Sequence, residues 1–178
     1  ADVMIHLAGK TDVDACEQDK NIDLGILNIK GKVIEGLEIK SLNGDDWNGK
    51  DTAFAINTIG TSNLYNLAKE NGIKFVYIST DFVFPGNGEY AEDSKPDPIN
   101  WYGMTKWYGE SLIDVSKDLI VRLSFPYGYK SPVKQDFVQK LISLLSEKDD
   151  VLLIEDQTIT PTFIDDIALA FDVLIQKE

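Results

Sequence analysis

Three residue types are almost missing from this chain of 178 residues: Arg122 is its only arginine, His6 its only histidine and Cys16 its only cysteine. With 17 basic against 30 acidic side chains the formal net charge is -13. That balance argues against a nucleic-acid partner, because a phosphate backbone demands a basic face. It argues equally against an anionic membrane surface. It leaves room for an anionic small ligand, since backbone N–H groups at a helix N-terminus hold a phosphate without net charge. One cysteine cannot close an internal disulfide, so a reducing cytoplasm is the expected setting and Cys16 is read as inert. No run approaches the roughly 18 apolar residues of a membrane span, and the opening "ADVMIHLAG" lacks a basic leader. Glycine is plentiful but never spaced as G-x-x-G-x-x-G. The nearest stretch, "GILNIKG" (25–31), lacks the middle glycine and precedes no helical pattern.

The residues that are present alternate between two periods. "DVMIHL" (2–7), "IKFVYIS" (73–79) and "LIVRLSF" (119–125) are short apolar runs that read as strands, the first buried on both faces, and "VLLIE" (151–155) reads as a fourth. Between them, 57–72, 100–117, 133–148 and 164–176 carry apolar residues at helical spacing. Asn100 suits an N-cap and Gly72 a helix stop. Strands alternating with helices imply an α/β fold with a parallel sheet. Residues 21–51 break this rhythm, and a hairpin turning near Gly31 is the expected local structure.

The chemistry concentrates in "YISTDFVFPGNGEYAEDSKPDPINWYGMTKWYGE" (77–110). Tyr102 and Lys106 stand one helical turn apart on one face. A free phenol near its usual pKa of about 10 is a weak acid–base catalyst at neutral pH. A nearby ammonium favours the phenolate and is expected to draw that pKa down. Thr80 falls just past a strand's C-terminal end, where open α/β sheets place ligands. Alone, Y-x-x-x-K fits any amphipathic surface helix. The order of strand, Ser-Thr, loop and Y-x-x-x-K is what makes it informative.

These stretches resemble the extended short-chain dehydrogenase/reductase superfamily and, within it, the dTDP-4-dehydrorhamnose reductase branch. "DVMIHLAGKTDVDACE" is similar to the family's fourth strand and following loop, "AFAINTIGTSNL" to its A-x-x-x-N-x-x-G-T-x-N-L helix start and "YISTDFVFPG" to S-T-D-Y-V-F-x-G. "YAEDSKPDPINWYGMTKWYGE", "RLSFPYG" and "DQTITPTFIDDIA" resemble its later motifs, so the likeness covers 1–20 and 52–178.

The resemblance implies a Rossmann-like doubly wound parallel sheet, incomplete in this chain, with 1–178 forming the C-terminal part of one NAD(P)-binding domain and 21–51 an insertion or replacement. It implies reduction of the 4-keto group of a nucleotide-linked deoxysugar by NADPH or NADH. By position, Tyr102 is the proton donor, Lys106 lowers its pKa and binds the nicotinamide ribose, and Thr80 completes the triad. Ala8, Gly9, Phe125 and Pro126 lie along the cofactor, and Asp81, Phe82 and Phe125 face the sugar. No metal is implied, and a homodimer is the assembly considered. Phe82 stands where the branch has Tyr, Phe125 where it has Trp, and Asp136 where Asn is common, which puts the identity of the sugar in question. The alternatives are a non-catalytic regulatory subunit of the superfamily, or a nucleotide-sugar epimerase or dehydratase.

Without the first three strands, 3–7 would be a bare apolar edge, so these residues are expected to belong to a larger protein and, alone, to bind NAD(P)H poorly and self-associate. Simpler readings fit the remaining features. His6 is a core histidine, Asn57 a tie between strand ends, and Asp12, Asp14 and Glu17 complement a helix dipole. Asp165 and Asp166 open a helix, Trp101 and Trp107 pack, and Trp47 has no evident role.

Overall fold

The structure, a computed structural model, describes residues 2–28, 42–86, 88–128, 135–148, 150–153, 155 and 158–176. They fall into two compact units, Ala1–Arg122 and Leu123–Glu178.

In the first unit, β1 (Val3–His6), β2 (Lys74–Thr80) and β3 (Leu119–Leu123) form a sheet in that order. β1 and β2 run parallel, with Val3 opposite Lys74 and His6 opposite Tyr77. A parallel pair needs a long crossover. Here the crossover holds α1 (Val13–Ile26), a short 3₁₀ turn (Gly44–Trp47) and a long helix that starts as a π-helical segment (Ala55–Gly60) and continues as α2 (Thr61–Glu70). From β2 the chain passes a 3₁₀ turn (Asp81–Val83) and a loop into α3 (Trp101–Glu110), then returns as β3.

Aromatic packing fills the space between sheet and helices. Phe54, Phe75 and Tyr77 are fully buried, and Phe54 packs against Trp47, Trp101 and Tyr108 with ring centroids 4.8, 6.3 and 5.8 Å away. Trp47 thus gains a role: it is buried core on a 3₁₀ turn. Asp118 sets the start of β3 by accepting from the Phe75 N–H (2.7 Å) and the Tyr65 hydroxyl (3.0 Å).

β1 is not buried on both faces. It is an edge strand, so Ile5 is 37% and neighbouring Leu7 71% exposed. His6 is buried, 3.0 Å from the Thr61 hydroxyl. Thr61 gives its proton to the Asn57 carbonyl (2.7 Å), so His6 Nε2 is the donor. Burial lowers its pKa to about 4 and keeps it neutral, a core histidine as expected.

Three other expectations need correction. The helix expected over 100–117 ends at Glu110, because Leu112 and Ile113 turn inward through i→i+3 bonds and the Asp114 carboxylate holds Ser116 in a further turn. Residues 21–26 finish α1 instead of entering a hairpin: Leu24 and Leu27, three positions apart, pack on the core. Gly31 itself lies outside the described residues. At 151–155 the described residues form no strand, and Leu152 stands fully exposed.

In the second unit Tyr127 and Phe163 form a parallel bridge, and Thr162 bonds the Ser124 carbonyl through both N–H and hydroxyl. α4 (Phe137–Glu147) is capped by Asp136, which accepts from the Gln139 N–H at 2.8 Å, and α5 (Ile164–Gln176) opens with Asp165 and Asp166 in its first turn. Among the described residues no helix is long and apolar enough to cross a membrane.

Candidate active site

The C-terminal ends of β1 and β2 and the first two turns of α3 converge on one place. Thr80 ends β2 and caps the turn after it: its hydroxyl accepts from the Phe82 N–H at 3.2 Å and lies 3.2 Å from Asp81 Oδ1. Asn100 caps α3 by accepting from the Gly103 N–H at 2.8 Å, as expected. That cap sets Tyr102 in the first turn, with its ring 5.7 Å from Phe82 and edge-on to it. Thr80, Tyr102 and Lys106 are all buried, at 5, 8 and 5% exposure.

Electrostatics at the site depart from the simple expectation. Burial pushes the Tyr102 pKa up to about 12, while a hydrogen bond with Thr80 works the other way. Lys106 is not among the groups that shift it, and its ammonium has partners on β2. It donates to the Ile78 carbonyl at 2.6 Å and sits 4.2 Å over the Tyr77 ring. Burial lowers Lys106 itself from 10.5 to about 8, with Glu110 pulling upward. Tyr102 is therefore a protonated phenol through the neutral range, suited to giving a proton.

Beside Lys106 lies the exposed backbone of Ala8 and Gly9. A Cβ on Gly9 would stand 3.2 Å from Asn57 Oδ1 and 3.9 Å from Lys106 Nζ, so glycine leaves a bare strip of backbone there. Asn57 holds the strip in place. It accepts from the Lys10 N–H (2.8 Å) and donates to the Lys10 carbonyl and the Thr105 hydroxyl (3.0 Å each). It ties the loop after β1 to α3, where the sequence suggested a tie between strand ends, and the π-helical segment carries it.

The structure thus brings Ala8, Gly9, Thr80, Asp81, Phe82, Tyr102 and Lys106 to one end of the first unit. Phe125 and Pro126 belong to the second unit. There Phe125 is half-buried, packs edge-on to Phe137 at 5.3 Å and has a φ of +41°, a left-handed backbone rare for a bulky side chain.

The chain also contains groups that sequence reading missed. Glu17 and Asp23 on α1 reach the residue just before Tyr102, as detailed below. The available signal was spacing: Cys16, Asp19 and Asp23 share one helical face, and Cys16 and Asp23 are fully buried. Burial also raises the Cys16 thiol to about 11, consistent with an inert cysteine.

Lys106 carries a stability prediction. The unfolded chain keeps this proton up to about pH 10.5, the folded one only to about 8. Stability should therefore rise with pH between those values, by on the order of 3 kcal/mol for this group. Lys106→Met should flatten that rise. Denaturant titrations of both proteins across this range check it; equal slopes would contradict the assignment.

Comparison with known proteins shows the family. Residues 47–178 match the family described as RmlD substrate binding domain. A probable low-salt glycan biosynthesis reductase, Agl14, of Haloferax volcanii is 33% identical over 167 residues, covering 90% of this chain and 46% of its own. A dTDP-4-dehydrorhamnose reductase of Streptomyces griseus is 38% identical over 121 residues, covering 65% of this chain and 39% of its own. Among solved structures, dTDP-4-dehydrorhamnose reductase from Bacillus anthracis in complex with NADP superposes with a TM-score of 0.74 at 29% identity, covering 99% of this chain and 52% of that one. The chain spans about half the length of the curated relatives it matches. Its sheet is the α/β, Rossmann-like arrangement of these neighbours, and the chain belongs to the RmlD substrate binding domain family.

Proposed function

We propose that the protein is an NADPH-dependent reductase of the 4-keto group of a nucleotide-linked deoxysugar, of the dTDP-4-dehydrorhamnose reductase type. The observation that carries this reading is the buried constellation of Thr80, Tyr102 and Lys106 at the strand ends. The bare Gly9 backbone beside the Lys106 ammonium fits the ribose and nicotinamide half of a dinucleotide. Lys106 has three donors, and a ribose hydroxyl can take one that Ile78 does not use. The nicotinamide cofactor, when bound, supplies the hydride for the sugar carbon.

Tyr102 gives its proton to the sugar's 4-keto oxygen, which becomes a hydroxyl. The Thr80 hydroxyl supports the phenolate that Tyr102 leaves behind. Asp81 and Phe82, on the turn that Thr80 caps, border the sugar. Phe82 offers an apolar face and no hydroxyl. By their place in the motif, Phe125 and Pro126 are further candidates for contact with cofactor and sugar, and Phe125 holds a left-handed φ of +41°. Residues 1–178 then act as part of one NAD(P)-binding domain, with 21–51 as its atypical segment, in the cytoplasm; light scattering on the protein decides the homodimer.

The direct test, on the whole natural protein, is NADPH oxidation on adding dTDP-4-dehydrorhamnose. The reading requires one NADPH consumed per sugar reduced, and no consumption would sink it. A second check bears on Phe125. Phe125→Ala should raise KM for the sugar about tenfold, a loss of roughly one stacking contact, while Phe125→Trp is tolerated. Unchanged turnover in Phe125→Ala would remove this residue from the site.

A further inference from the structure

α1 does more than connect β1 to the next helix. Three of its carboxylates cap the N-termini of two other helices. Asp19 Oδ2 accepts from the Ala53 N–H at 2.8 Å, and Asp23 Oδ2 from the Phe54 N–H at 3.0 Å. Glu17 Oε2 accepts from the Trp101 N–H, the first of α3, at 2.8 Å. Asp23 Oδ2 also accepts from the Trp101 indole N–H at 2.8 Å. Trp101 is thus held twice, by backbone through Glu17 and by side chain through Asp23. It immediately precedes Tyr102.

Asp23 is fully buried, and its second oxygen has no hydrogen-bond partner. A buried carboxylate with an idle oxygen is a costly way to fasten a helix. Its working oxygen, however, ties three segments at one point: α1, the helix that carries Asn57, and the start of α3. Those last two also meet through Asn57 and Thr105, next to Lys106.

We propose that Glu17 and Asp23 are positioning residues for the reductase: through Trp101 they fix the first turn of α3, and so the placement of the Tyr102 hydroxyl against Thr80. The inference rests on the reductase reading above. Neither carboxylate touches substrate or cofactor; both act through Trp101.

The test joins kinetics with amide hydrogen exchange on the whole protein. Trp101→Phe keeps the ring's packing and removes the indole donor. Asp23→Leu removes the acceptor, and Glu17→Ala releases the backbone N–H. Each should lower kcat about 10- to 100-fold, the size expected from misplacing a reacting group by a fraction of a turn, with NADPH affinity unchanged and kcat counted per bound cofactor. Asp23→Asn and Glu17→Gln keep an acceptor oxygen in place and should restore kcat. In the disruptive variants, peptides spanning 101–106 should exchange faster while those of β2 do not.

A purely structural clamp would lower the melting temperature and leave kcat per bound cofactor untouched; that result overturns the proposal. If the wild-type protein fails to reduce the sugar, the reductase reading falls separately, and exchange still judges the clamp. Unchanged exchange at 101–106 in Trp101→Phe and Asp23→Leu overturns it.

Discussion

Tyr102→Phe should lower kcat by about 10²–10⁴-fold, the usual worth of a positioned general acid, while leaving NADPH affinity nearly unchanged. The phenol sits in the first turn of α3, buried and hydrogen-bonded with Thr80, and burial holds its pKa near 12. The phenol is protonated through the neutral range. Removing the hydroxyl deletes the proton the new alcohol needs and little else, since the ring's packing on Phe82 survives in phenylalanine. Lys106 behaves differently. Its ammonium has a pKa of about 8, so kcat/KM should fall as pH rises through that value, and Lys106→Met should weaken both turnover and cofactor binding. Steady-state kinetics with a cofactor titration separates the two roles.

The second large effect is structural. Gly103→Ala should destabilise the first unit by roughly 2–4 kcal/mol, as overpacking of a rigid backbone contact does. A Cβ at Gly103 would collide with the Phe82 carbonyl oxygen and approach Pro98 Cβ to 3.1 Å. Neither neighbour is the free end of a flexible side chain, so α3 must shift away from the turn that follows Thr80. The methyl group therefore harms stability and kcat together. Gly25→Ala, in α1 with nothing within 4 Å of the new Cβ, is the control. It should be neutral or stabilising by up to about 1 kcal/mol, the helix-propensity difference. Urea titration of both variants checks the contrast.

Much of this architecture was legible in the sequence because local signals and packing agreed. The strands at 3–6, 74–80 and 119–123, the Asn100 cap and the stop at Gly72 all follow from period, capping chemistry and glycine's left-handed freedom. That Thr80, Tyr102 and Lys106 would be brought together was legible because strand-end position and one-turn helical spacing are readable in one dimension. What failed was long-range. Lys106 was expected beside Tyr102, and its contacts with the Ile78 carbonyl and the Tyr77 ring, both on β2, could not be read from spacing. Glu17 was read as a dipole partner of its own helix, yet it caps Trp101, 84 positions away. Helix end 111–117 and segment 151–155 went wrong where a periodic pattern lacked a neighbour to pack against, or met turn chemistry that overrode it.

The most direct test of the account follows deuterium from NADPH labelled at the transferable position of its nicotinamide. On incubation with dTDP-4-dehydrorhamnose, the account predicts deuterium at C4 of the sugar with the wild-type protein, and a rate of labelling lower by about 10²-fold or more with Tyr102→Phe. A wild-type protein that binds NADPH and the nucleotide sugar yet leaves C4 unlabelled, or a Tyr102→Phe variant that labels it at the wild-type rate, would contradict it.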